Sequence, residues 1–161
     1  MALARPSRLS ARWLVVASIV LAAALLLPAL HDYFFRKTIM EEVPAFQSAE
    51  MKITIQGKEF TVRLAATEAA KTLQRLLPLA LEMTELNGNE KYANLAQALP
   101  ANPQEVRHIN AGDMMLWGDD CLVIFYQSFN TPYSYTHLGR ILDPDGLAEA
   151  LGNGSEHVEF K

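Results

Sequence analysis

From Met51 to the last residue, apolar and polar positions alternate in short runs, the signature of half-buried β-strands. The densest stretch runs from Gly112 to Tyr126. Two apolar runs there flank Gly118-Asp119-Asp120, which predicts a β-hairpin at the heart of a sheet. The second run is apolar at every position from Cys121 to Tyr126. A strand carries such a run only when both of its faces are covered, so this one is placed centrally and not at an edge.

Other elements follow from the same reading. Lys52–Ile55 and Glu59–Leu64 alternate on either side of Gln56-Gly57-Lys58 and form a hairpin. Phe60, Val62 and Leu64 share one face, which leaves Arg63 on the other as a solvated strand residue. Thr67 to Leu77 predicts a helix. Thr67 caps its first turn, Ala69, Ala70, Leu73, Leu76 and Leu77 form its apolar stripe, and Pro78 ends it. Leu79, Leu81 and Met83 alternate as a strand, and extending it puts Glu85 on their side. Either the strand ends or bulges there and Glu85 meets water, or a carboxylate points into the mouth of the domain.

Asn87-Gly88 marks a turn, Tyr92–Leu95 a short strand, and residues 100–107 an irregular passage. Residues 127–136 read as a loop rich in aromatic and hydroxyl groups, and Leu138–Leu142 as a strand. Asp143, Pro144 and Gly152 mark a helix as its cap, its first turn and its stop. Asn153-Gly154 then turns the chain into a closing strand, Glu156–Phe160. About eight short strands and two short helices make the class mainly β, a closed or nearly closed barrel over residues 51–161.

The first 50 residues follow a different pattern. Arg5, Arg8 and Arg12 precede an uncharged apolar run from Trp13 to Leu30, and Tyr33, Phe34, Phe35, Arg36 and Lys37 come after it. A basic flank before such a run is an export signal that holds the amino terminus in the cytoplasm. Its length is just sufficient to span a bilayer. Residues 1–12 read as the cytoplasmic flank, 13–35 as a signal anchor or signal peptide, and 36–50 as a linker interrupted by Pro44. Ala22-Ala23-Ala24 lies too deep in the apolar block to end a signal, and Leu27-Pro28-Ala29 puts a large residue where a small one is needed. An uncleaved single-pass transmembrane anchor with the domain outside the cytoplasm is therefore favoured. Cleavage, giving a secreted or periplasmic protein, is the alternative. The partner expected for this segment is the cell membrane.

Charge and cysteine content narrow the function classes. From Met51 onward nine Lys and Arg stand against fourteen Asp and Glu, a net charge of −5. An acidic domain without a basic stripe is not built for nucleic acid. Cys121, the one cysteine, reads as a small core hydrophobe and not as a reactive thiol. His31, His108, His137 and His157 lack the spacing of a metal site. Gly-x-Ser-x-Gly elbows and Gly-rich phosphate loops are absent, and no metal or other cofactor is expected. Asp119-Asp120 reads as a solvated turn.

The candidate site is a cluster. Glu85, Asn87, Glu90, Lys91 and Tyr92 lie along one segment, and Tyr133, Ser134, Tyr135 and Thr136 along another. Aromatic rings with hydroxyl and amide neighbours pack an apolar ligand and orient its polar ends. The competing reading is that Tyr133 and Tyr135 plug the barrel mouth.

Four segments together resemble a family of small bacterial and archaeal proteins with a cyclophilin-like barrel, mostly uncharacterised. They are Met51–Ile55, Leu81–Tyr92, Ala111–Gly118 and Tyr133–Ile141. The resemblance covers the whole of residues 51–161 and implies that fold. True cyclophilins are prolyl isomerases with an arginine in a Phe-His-Arg-Val strand and a Gln-Gly-Gly-Asp stretch. Neither motif occurs here, and Arg63, Arg75, Arg107 and Arg140 lie in other contexts. No catalytic residue carries over, since a shared fold does not bring a shared activity. The expectation is a non-catalytic module that binds a peptide or small ligand at the barrel mouth. The alternatives are an isomerase with a non-standard active site and a structural envelope subunit.

Overall fold

A computed structural model describes residues 49–161; the proposed basic flank, membrane segment and most of the linker lie outside the described residues. Among the described residues no helix is long and apolar enough to cross a membrane.

The chain opens with β1 (Glu50–Ile55) and β2 (Lys58–Leu64). Met51, Ile53 and Ile55 on one strand and Phe60, Val62 and Leu64 on the other are buried, as strict alternation requires. Gln56 and Gly57 both take positive φ, 48° and 78°, the two-residue turn that matches the twist of a hairpin. Helix α1 (Glu68–Arg75) follows. The Thr67 hydroxyl accepts from the Ala70 amide at 3.1 Å and donates to the His137 carbonyl at 2.8 Å, so one side chain both caps the helix and fastens it to a strand.

Then come β3 (Leu79–Leu86), β4 (Glu90–Asn94) and two short pieces, β5 (Gln104–Glu105) and β6 (His108–Ile109). The central hairpin is β7 (Asp113–Trp117) and β8 (Cys121–Phe125). After β9 (Phe129–Asn130) and β10 (Ser134–Ile141), a short helix α2 (Leu147–Leu151) leads to β11 (Glu156–Phe160).

Eight strands pair antiparallel in the order β2-β1-β11-β3-β4-β8-β7-β10, and β10 returns to β2. The sheet therefore closes into a barrel, and closure removes the unpaired edges an open sheet presents. The barrel and both helices share one apolar core, in which Ile53, Phe160, Leu122, Met114 and Leu73 are fully buried.

The central hairpin is covered on both sides. Leu122 and Ile124 point into the barrel core, whereas Val123 and Phe125 face outward into a second cluster with Ile109, Met115 and Tyr135. The β6–β9 ribbon covers this outer cluster, and the Phe125 and Phe129 rings lie 5.8 Å apart. The run that is apolar at every position thus has two walls, although Cys121 and Tyr126 at its ends are only half-buried.

Three sequence expectations are corrected. β4 begins at Glu90 and not Tyr92, because its ladder with β8 extends to Glu90 opposite Phe125. The expected loop before Leu138 is a strand from Ser134 onward, held by β5 and β7. The second helix starts at Leu147, not beside Asp143. The Asp143 carboxylate instead accepts from the Asp145 amide at 3.2 Å in a turn, and Gly146 at φ 74° blocks the helix before Leu147.

Candidate functional site

Strand alternation sorts the candidate residues between the two faces of the barrel wall. Cross-strand neighbours share a face, and Lys91 stands opposite Ile124, itself opposite Met114. Lys91 therefore points into the barrel, where its side chain is 0 % exposed. Its ammonium lies 3.2 Å from Glu85 Oε2 and donates to the Gly154 carbonyl. Glu85 keeps the alternation of Met83 and faces Lys91 across the ladder, so its carboxylate lies at the end of the barrel interior. It also accepts from the Tyr126 hydroxyl at 2.6 Å and the Gly88 amide at 2.7 Å.

Burial pushes the Glu85 carboxyl up. The hydrogen bonds from Tyr126, Gly88 and Lys91, together with the Lys91 charge, pull it down further, and it titrates below its usual range. Burial and the bond to Glu85 raise the Tyr126 phenol to about 12. Glu85, Lys91 and Tyr126 thus form one linked polar network at this end of the barrel.

On the outer face, Glu90 and Tyr92 of β4, Cys121 and Val123 of β8, Trp117 of β7 and Tyr135 of β10 line one cavity with Leu86, Asn87 and Tyr133. Its volume is about 390 Å³, within the range typical of small-molecule sites. The Trp117 ring sits 5.3 Å from both Tyr133 and Tyr135, at interplanar angles of 81° and 55°. Trp117 and Tyr133 remain 45 % and 57 % exposed, while Tyr135 is buried. Asn87 reaches the rim from a left-handed turn, φ 58°, shared with Gly88.

Of the residues singled out in the sequence, Asn87, Glu90, Tyr92, Tyr133 and Tyr135 meet at this cavity. Glu85 and Lys91 belong to the interior network. Ser134 and Thr136 flank Tyr135 on the opposite face of β10, where Thr136 is buried and accepts from the Asn102 amide at 2.8 Å. The cavity lies on the outer wall of the barrel, where Tyr135 belongs to the outer cluster with Val123 and Phe125. Sequence reasoning missed Trp117, Cys121, Val123 and Leu86. For Trp117, Cys121 and Val123 the signal was hidden because the two runs of the central hairpin are apolar at consecutive positions, which conceals the face that carries the groove; Leu86 ends β3 and carried no such signal.

Glu90 is the one charged side chain in the lining. Burial, and then the charge of Glu85, hold its carboxyl above the ordinary range. Burial, with the charges of Asp120 and Glu90, also raises the Cys121 thiol, which leaves it a weak nucleophile. The Tyr135 phenol is raised to about 12, first by burial and then by Glu90.

A second, more open cleft of about 480 Å³ lies elsewhere on the barrel. Arg63 and Arg140, opposite each other on β2 and β10, line it with His108 and His137. Arg140 lies 3.5 Å from Asp113, and Arg63 lies 3.7 Å from Glu50. Among the described residues no group of His, Cys, Asp and Glu is placed to hold a metal ion.

A closed eight-stranded barrel with this hairpin at its centre defines the class, and comparison with known proteins places the chain within it. The chain belongs to the cyclophilin-like family, which it matches over residues 53–161. No curated protein matches it. Among solved structures it is similar to the solution structure of a hypothetical protein from Archaeoglobus fulgidus. That match has 17 % identity and a TM-score of 0.49, and covers 71 % of this chain and 94 % of the other.

Proposed function

We propose that this chain is a non-catalytic binding module, tethered to the membrane by residues 13–35 and displayed outside the cytoplasm, whose outer-wall cavity holds a small ligand or a peptide side chain. The observation that carries this reading is the cavity itself: four aromatic rings and two aliphatic side chains around about 390 Å³, with Glu90 and Asn87 as the polar groups that orient a guest. The basic flank, the uncharged run and the aromatic residues behind it support the tether.

Trp117 gives a direct test. With Trp13→Phe it is the only tryptophan in the chain, so its emission reports on the cavity. A small-molecule and peptide screen is expected to yield saturable changes that Tyr135→Ala abolishes. A screen without any saturable change would remove the reading. Protease accessibility of the domain in intact spheroplasts tests the topology, and protection would place it on the cytoplasmic side.

One observation favours a second reading. Arg63 and Arg140 both face the second cleft, and an arginine beside a bound proline peptide is what an isomerase needs. Cis-to-trans conversion of a proline peptide that is lost in Arg63→Ala or Arg140→Ala would support it. Conversion at the background rate dismisses it.

A further inference from the structure

The outer-wall cavity combines features that select a sign of charge. Glu90 is half-buried, and among the described residues its carboxylate has no hydrogen bond or ion pair. Its neighbour Lys91, the nearest cation in sequence, is turned through the barrel wall and committed to Glu85 and Gly154. The lining contains no Lys, Arg or His. A half-buried carboxylate without a counter-charge is costly unless a guest supplies one.

The walls specify the kind of cation. Trp117, Tyr133, Tyr135 and Tyr92 surround the cavity, and the negative faces of aromatic rings attract a cation most strongly when it is stripped of water. A metal ion keeps its water or demands several oxygen ligands, which this wall does not offer. An ammonium with alkyl substituents gives up little hydration, and its methyl groups suit Leu86, Val123 and the ring faces. Resting on the binding-module reading above, we propose that the cavity on the outer wall of the barrel is a site for an alkylammonium group, held between the Trp117–Tyr133–Tyr135 rings and the Glu90 carboxylate.

The full-length chain carrying Trp13→Phe is titrated by Trp117 fluorescence with choline and with 3,3-dimethylbutan-1-ol, the same shape without the charge. Choline is expected to bind about tenfold more tightly, a difference of about 1.4 kcal/mol. Glu90→Gln is expected to bring the ratio of the two affinities close to one. Tyr133→Leu, at an exposed position tolerant of change, lowers the same ratio and keeps the test valid should the Gln variant fold poorly. Equal binding of choline and the neutral compound overturns the cation assignment but leaves the binding module standing. Failure of both to bind, in a protein that still answers other ligands, overturns the assignment as well. Failure of every ligand removes the module with it. Phosphocholine distinguishes the source: a free ammonium compound is expected, and binds at least as well as phosphocholine. Clearly tighter phosphocholine assigns the same site to a lipid headgroup.

Discussion

Lys91 shows how much one position in a strand depends on its face. A lysine in the turn-rich stretch after Asn87-Gly88 would ordinarily be solvated, yet here its ammonium is fully enclosed and satisfied by Glu85 and Gly154. Removing one partner of such a pair strands the other, at a cost of about 3–5 kcal/mol when both are buried. Glu85 retains some solvent contact and two further donors, so Lys91→Met is expected to cost less than that, about 2–3 kcal/mol in urea unfolding. Adding Glu85→Gln to Lys91→Met should recover part of that loss. The pH dependence follows from the lowered Glu85 carboxyl. Its stabilisation is fully present above the unfolded value near 4.3 and is lost as pH falls through the lower folded value. Glu85→Gln should therefore flatten the acid limb of a stability–pH curve. An unchanged limb would show that Glu85 contributes nothing to it.

At the scale of elements, β8 differs from an ordinary barrel strand in having packed neighbours on both faces. Leu122 faces the barrel core and Phe125 the outer cluster under β9, each 0 % exposed. Leu122→Ala is expected to cost about 2–5 kcal/mol and Phe125→Ala about 3–5 kcal/mol, both read as a lowered denaturant midpoint. A near-neutral Phe125→Ala would mean that the outer ribbon is not packed in solution. The apolar run from Cys121 to Tyr126 made this double coverage legible in the sequence, because only a strand walled on two sides tolerates it. What covers the outer face was not legible. β6 and β9 are two residues each, too short for any periodicity to emerge; β6 directly follows the passage read as irregular, and β9 lies inside the stretch read as a loop. The second helix misled for a related reason: Asp143 and Pro144 are good helix starters, but they equally start a turn, and Gly146 decided between them.

At the scale of the whole molecule, the barrel is completed where β10 meets β2. The register between β10 and β7 shifts between His137 and Gly139, and just past this irregularity β10 takes up β2 as a second neighbour. A Cβ at Gly139 would stand 2.6 Å from the Arg63 carbonyl oxygen, closer than a backbone atom tolerates, and a tight 3.1 Å from Val62 Cγ1. Gly139→Ala should push this seam apart and cost about 1–3 kcal/mol. Amide exchange in Arg63, Leu64 and Arg140 should accelerate more than exchange in β3 or β4. Uniform behaviour across the barrel would place the strain elsewhere.

The sequence alone determined most of the barrel strands, the first helix, the closed barrel class and the central hairpin, because alternation and capping are local and each is written in a few consecutive residues; the ribbon strands, the start of β10 and the start of the second helix it did not. It also drew attention to two segments of aromatic and polar groups. Only the tertiary structure decided which of those side chains meet. Glu90, Trp117 and Tyr135 lie on three different strands and face one cavity through long-range register, whereas Lys91, one residue from Glu90, is on the far side of the wall. A period of two residues fixes that neighbours part company; which distant residues they then join is set by how the sheet closes.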